Sequence, residues 1–289
     1  MPLISIIIPV FNRANFVKNT ICTIFKQRFR DYELIIVDDG STDDLERVLS
    51  SEISTKQLIY VFQENQGVSS ARNMGTFLAK GKYLVFLDSD DLVTENWLFD
   101  YENAIKTSDP DIIYCGINRF RDNILVDYTD PTNPYKDGKS FGNVIPGSFC
   151  IKKTFFEIIG RYDEQITYGE NTELGFRIKI ANPTISFINQ PNLIYNLYEN
   201  SHGKNLRNKM NSIIYSINKH PQLFNENKDM KSRFLSIAGV AAVSIKENIR
   251  ARKYFWEAWK LSPFNIIMLL RLLFSLSHFM SRKIWDNRC

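Results

Sequence analysis

Asp88-Ser89-Asp90-Asp91 sets three carboxylates within four residues, directly behind the apolar run Tyr83–Leu87. Carboxylates this close repel one another, and one takes up a proton unless a cation intervenes. A hard divalent cation with oxygen ligands relieves that repulsion and keeps coordination sites for substrate phosphates. The competing reading is a solvated turn capping a helix that begins near Thr94, since Asp and Ser favour turns and N-caps. A second acidic run, Asp38-Asp39-Gly40-Ser41-Thr42-Asp43, also follows an apolar stretch. Two acidic runs, each at the end of a strand, are the chemistry that the rest of the chain must explain.

The elements that would position them are legible. Leu3–Val10, Tyr32–Val37, Leu58–Gln63 and Tyr83–Leu87 are nearly continuous apolar runs. Helical spacing separates them over 12–26, near Leu45–Leu49, and over Val68–Ala79. Strand and helix in alternation, with strands apolar on both faces, predict a mostly parallel α/β sheet covered on both sides. Ligands bind such sheets at the carboxyl ends of the strands, where the acids lie. Beyond residue 110 the pattern predicts strands over Asp111–Arg119, Phe149–Ile151, Thr184–Ile188 and Leu193–Leu197, with helices over Lys153–Ile159 and Asn171–Ile180. Asp122–Gly142 is polar and rich in Pro and Gly, and reads as an irregular excursion. After His202 the chain reads as helical, with Phe234–Glu247 and Ala251–Trp259 as a helical hairpin. The expected division is 1–203 for an α/β domain and 204–289 for a basic helical extension.

Charge divides the chain in the same place. Residues 204–289 hold 16 Lys and Arg against 5 Asp and Glu, a net +11, whereas residues 1–203 hold 20 against 27, a net −7. A basic tail favours an anionic surface. Four cysteines without metal-ligand spacing exclude a zinc finger and a disulfide framework, and suit a reduced, cytoplasmic setting. No secretion signal is expected at the start of the chain. Phe264–Met280 is broken by Arg271 and His278 and falls short of the ~20 residues of a spanning helix.

Four segments in order carry a resemblance: Ile8-Pro9-Val10-Phe11-Asn12-Arg13, then Val37–Asp43, then Asn65-Gln66-Gly67-Val68-Ser69-Ser70-Ala71-Arg72-Asn73, then Asp88–Asp91. Together they resemble the inverting family 2 glycosyltransferases of GT-A fold, over roughly residues 3–200. The resemblance implies a UDP-sugar donor and Mn²⁺ or Mg²⁺. It assigns Pro9, Phe11, Asn12, Asp38 and Asp39 to the nucleotide, with Phe11 facing the base and Asp38 accepting from uracil. Gly67 would let the backbone approach closely, Arg72 would offer a forked donor to the diphosphate, and Ser89 would line the same pocket. Asp90 matches the metal ligand, and Asp88 the ribose or a metal-bound water. Singly, each residue could be a core aromatic, a turn or a solvated helix position; the four in sequence favour the pocket.

The acceptor side resembles the same family through Gly147-Ser148-Phe149, Ile159–Glu164 and Tyr168-Gly169-Glu170-Asn171-Thr172-Glu173-Leu174. There the family opens a helix with a Glu-Asp pair, whose Asp is the general base. Asn171 occupies that position, and an amide cannot act as a base. Three explanations stand: Glu170 or Glu173 is the base, the protein is impaired, or the Asn is an introduced substitution. Glu170 is favoured; its bland alternative is an acid drawn to a helix start by the macrodipole. His202 falls where many GT-A enzymes touch the metal or the diphosphate.

Arg250-Ala251-Arg252-Lys253-Tyr254-Phe255-Trp256, with Arg271, Arg282 and Lys283, interleaves basic residues with aromatics and leucines. No nucleic-acid motif accompanies them. A basic helix with Trp and Leu suits the interface of an anionic membrane. The competing reading is a helical hairpin that packs on the catalytic domain or on a second subunit. The family resemblance implies the inner face of the cytoplasmic membrane as the setting, with a glycan or lipid-linked oligosaccharide as acceptor. Two rival readings compete with this one: a glycosyltransferase-like subunit that binds without catalysis, and a haloacid-dehalogenase-type phosphatase, whose Asp-x-Asp strand would normally come first.

Overall fold

The apolar runs of the first half become parallel strands whose two faces are both covered. The computed structural model describes residues 1–132, 144–197 and 205–276. In it β1 (Ile4–Val10), β2 (Tyr32–Asp39), β3 (Ile59–Gln63) and β4 (Tyr83–Phe86) lie parallel in the order β3-β2-β1-β4. The helices between them are α1 (Ala14–Phe25), the short α2 (Leu45–Val48) and α3 (Ser50–Ser54), and α4 (Val68–Leu78). Successive strand residues point to opposite faces. Ile4, Ile6, Ile8 and Val10 accordingly enter one core with Val17, Ile21 and Ile24 of α1. Ile7 enters the other, with Val37, Phe86 and Ala71. Each of these side chains is buried, and full burial of an aliphatic residue contributes roughly 1.5–3 kcal/mol.

The sheet continues as a mixed one. β5 (Leu92–Val93), α5 (Trp97–Ser108), β6 (Ile112–Arg121), β7 (Ile124–Thr129), β8 (Phe149–Lys152), α6 (Lys153–Ile158), α7 (Glu170–Ala181) and β9 (Ile185–Asn196) follow in order. β8 lies antiparallel between β4 and β6, β9 runs parallel to β6, and β5 closes the far edge antiparallel to β9. β6, β9 and the first four strands thus end on the same side of the sheet.

Three local expectations need correction. The helix expected near Thr94 starts at Trp97, because Leu92–Val93 first pairs with β9 and Thr94 binds Asn192 through main chain and side chain. The excursion expected over 122–142 is in part a hairpin. Asp122 (φ 51°) and Asn123 (φ 63°) form a two-residue turn with both φ positive, which matches the twist of the paired strands β6 and β7. Its remainder, 133–143, lies outside the described residues. The two strands expected over 184–197 are one strand, β9, with a register shift opposite Cys115–Ile117. Pro191 there has no N–H to give to a ladder, which is why the sequence reads as an interruption.

The chain forms two compact units, one of Met1–Glu164 with Glu170–Ser201, the other of Gln165–Gly169 with His202–Cys289. From 206 to 276 the second is built of helices: α8 (Leu206–Lys219), α9 (Pro221–Glu226), α10 (Lys228–Ser244), α11 (Asn248–Leu261) and α12 (Ile266–Leu276). Asn205 and Asn227 cap α8 and α10 by accepting from Asn208 N and Met230 N. α10 and α11 pack through small residues, with Gly239 facing the ring of buried Phe255. Along α12, Met268 and Ser275 are buried, whereas Ile266, Ile267, Leu270 and Leu273 are exposed. No helix among the described residues is long and apolar enough to cross a membrane.

Candidate active site

The loops at the carboxyl ends of β1, β2 and β3 are tied to one another by side chains. Asn12, at φ 53°, accepts from Thr42 N (2.7 Å) through Oδ1, and its own N–H donates to Ser41 Oγ. Asp43 Oδ2 accepts from Ala14 N (2.9 Å) and so supplies, from the loop after β2, the cap that α1 lacks from its own sequence. Asp39 accepts from Gln63 Nε2, Gln66 N and Gly67 N, all within 2.9 Å. Gly67 holds φ 91°, a backbone state that a residue with a Cβ rarely adopts, and α4 begins directly behind it. Asp38, expected to accept from a nucleobase, accepts from Ser41 N (2.7 Å) and Tyr60 O–H (2.5 Å). Phe11 projects from the end of β1 with 43% exposure, and Pro9 is buried within the strand.

At the end of β4, Ser89 is buried and its carbonyl accepts from Thr20 Oγ1, which anchors the acidic run to α1. Asp90 lies 3.7 Å from Arg13. Asp91 is buried, and Asn196 reaches both it and the Asp90 carbonyl from the end of β9. Burial, and then the charges of Asp88 and Asp90, push the Asp91 carboxyl well above the usual carboxylate range. Its Oδ2 has no hydrogen-bond partner among the described residues.

Arg72 joins this run to the acceptor side. It is expected to point at a diphosphate; it is instead buried, with Nη2 donating to Asp88 Oδ1 (2.8 Å) and Nη1 to Glu170 Oε1 (3.1 Å) and Asn171 Oδ1 (3.3 Å). Its guanidinium lies 4.9 Å from the ring centre of Tyr162. Burial opposes the cation, but Tyr162, Asp88 and Glu170 overcome that, so Arg72 holds its proton more firmly than usual. Next to it, Asn73 exchanges hydrogen bonds with the Tyr162 backbone and donates to Glu164 Oε1 (2.8 Å). Asp88 and the adjacent pair Glu170 and Asn171, far apart in sequence, thus meet around one guanidinium.

The other expected residues fall elsewhere. Glu173 is buried and committed to Arg177, which donates to both its oxygens at 2.7–3.1 Å. His202 lies outside the described residues. Tyr162, from the expected acceptor stretch Ile159–Glu164, donates to Asn171 Oδ1, whereas Tyr60 and Asn196 join the site without having been singled out, because only the register of β2 with β3 and the end of β9 bring them there.

Among the described residues no three His, Cys, Asp or Glu side chains are grouped to hold a metal. The donor set still fits Mg²⁺ or Mn²⁺, which take few protein carboxylates and complete their shell with water and substrate phosphates. Asp88 and Asp90 would supply the oxygens, and beside them Asp91 Oδ2 is a buried polar atom that no described group satisfies.

The comparisons agree with this frame. Residues 5–164 match the family model described as Glycosyl transferase family 2. An uncharacterized glycosyltransferase of Rickettsia prowazekii is 31% identical over 187 residues, which are 61% of this chain and 58% of that protein. Glycosyltransferase GlyG of Streptococcus pneumoniae is 34% identical over 153 residues, 52% of this chain and 46% of GlyG. The chain therefore spans only about half the length of these relatives. The crystal structure of S. aureus TarS 1–349 in complex with UDP-GlcNAc aligns over 99% of this chain and 91% of that one, with a TM-score of 0.71 at 16% identity. That likeness gives the fold, a GT-A mixed sheet followed by helices. With more than half of its length matched by the family model, the chain belongs to glycosyl transferase family 2.

Proposed function

We propose that the chain is a metal-dependent, inverting glycosyltransferase that moves a hexose or N-acetylhexosamine from a UDP-sugar to a hydroxyl of a glycan or lipid-linked glycan. The observation that carries this reading is the Arg72 bridge, which holds the donor-side Asp88 and the acceptor-side Glu170 on one buried cation. The TarS complex with UDP-GlcNAc supports a UDP-sugar donor. A phosphatase is disfavoured by family membership and by the ion pair on Asp88, which would occupy its nucleophile.

Glu170 is the general base. It takes the proton of the acceptor hydroxyl while that oxygen bonds to the anomeric carbon, and the bond from that carbon to the diphosphate breaks on the opposite face to release UDP. The metal held by Asp88 and Asp90 would stabilise the negative charge of the diphosphate as a Lewis acid. Arg72 orients Glu170 and Asp88, and Phe11 offers its exposed ring to the uracil. Glu173, locked to Arg177, serves the helix and not the reaction.

The setting is surface-polysaccharide synthesis at the inner face of the cytoplasmic membrane, where the tail of +11 and the exposed face of α12 would meet anionic lipid. The primary experiment measures UDP release from a panel of UDP-hexoses and UDP-N-acetylhexosamines, with Mn²⁺ present or withheld. Glu170→Gln should lower turnover by ~10²–10⁴-fold while donor binding is retained. Undiminished turnover in that variant would remove Glu170 as the base.

A further inference from the structure

Position 171 is where the family places an aspartate base, and an asparagine there invites the conclusion that activity has been lost. The geometry points elsewhere. We propose that Asn171 is a positioning residue fitted to a glutamate base, an inference that rests on the reading of Glu170 given above.

Asn171 uses both ends of its amide. Oδ1 accepts from Tyr162 O–H (3.1 Å) and Arg72 Nη1 (3.3 Å), and Nδ2 donates to Glu170 Oε1 (2.9 Å). Oε1 of Glu170 also accepts from Arg72 Nη1. Among the described residues, both hydrogen bonds to the Glu170 carboxylate go to Oε1, so it is pinned by that oxygen and Oε2 is the one turned to an incoming hydroxyl proton. The glutamate side chain is 16% exposed, enough for an acceptor to reach it and too little for it to swing freely.

An amide satisfies all three neighbours at once. A carboxylate at 171 would still accept from Tyr162 and Arg72, but it has no proton for Oε1. It would instead set a second negative charge within hydrogen-bonding distance of Glu170, with Asp88 a third around the same Arg72. Two carboxylates sharing one site cannot both ionise freely, so a proton would stay between them to higher pH and Glu170 would be less available as a base. The groups facing Glu170 are Arg72 from α4, Tyr162 from the segment after α6, Asn171 beside it, and Asp88 across Arg72 from the end of β4.

The test uses the full chain, Mn²⁺ and the UDP-sugar that gives the fastest UDP release. Asn171→Asp should lower kcat at least tenfold with the KM for the UDP-sugar within about twofold, and should move the rising limb of the pH–rate profile to higher pH. Asn171→Ala should lower kcat with no such shift. A purely structural role would lower the melting temperature and leave the profile in place. Asn171→Asp as fast as the unaltered chain, or UDP release gained only in that variant, overturns the proposal. If Glu170→Gln keeps full turnover, the base reading fails and this inference falls with it. If Glu170→Gln is inactive and Asn171→Asp is fully active, the positioning role alone is wrong.

Discussion

At the scale of single residues, the acids of the proposed site are legible in the sequence and their hydrogen-bond partners are not. Asp88, Asp90 and Glu170 stand out as carboxylates where a strand ends or a helix begins, which costs something unless a ligand or partner answers it. Arg72 was legible as a cation close to the site, but its true neighbours lie 16, 98 and 99 residues away. Those contacts depend on the order of strands in the sheet, which no local pattern encodes. Asp38 shows the same limit: its bond from Tyr60 requires β2 and β3 to pair in the observed register. Asp90, by contrast, is ready for a direct test. Asp90→Ala should abolish Mn²⁺-dependent binding of a UDP-sugar in titration calorimetry, and unchanged metal-dependent affinity would remove it from the site.

Elements were legible where one force dominates. The four parallel strands and α4 follow apolar periodicity and fall within a residue or two of expectation. The hairpin of β6 and β7 was missed because its exposed strand, Ile124–Thr129, lies in polar surroundings and its turn uses Asp-Asn rather than a glycine. The helical hairpin of the tail was anticipated, though its contact was not: a Cβ on Gly239 would lie 2.6–2.9 Å from three atoms of the Phe255 ring. Gly239→Ala should therefore destabilise this unit, since overpacking costs about 1–3 kcal/mol against a gain of roughly 1 kcal/mol in helix propensity. Thermal denaturation followed by circular dichroism would detect it, and a raised midpoint would show that Phe255 can move aside.

For the whole molecule, the change of charge sign near residue 203 falls close to where one compact unit gives way to the other. The intrusion of Gln165–Gly169 into the helical unit could not have been read from composition. Exposed Phe264, Ile266, Ile267, Leu270 and Leu273, in a region rich in Lys and Arg, give the tail both an apolar face and a cationic charge. Removing the residues after Pro263 should raise solubility and weaken sedimentation with phosphatidylglycerol vesicles, more so at low salt. Equal sedimentation of the shortened chain would exclude that face as the lipid contact.

The stitched rim of the first three strands has one more consequence. Asn12, Asp39 and Asp43 hold neighbouring loops through main-chain amides, so the freedom of these loops is already surrendered when the protein folds. On the proposed function, a nucleotide arriving there would meet a cradle that does not need to be frozen around it, and the entropy of ordering the loops would not be subtracted from its affinity.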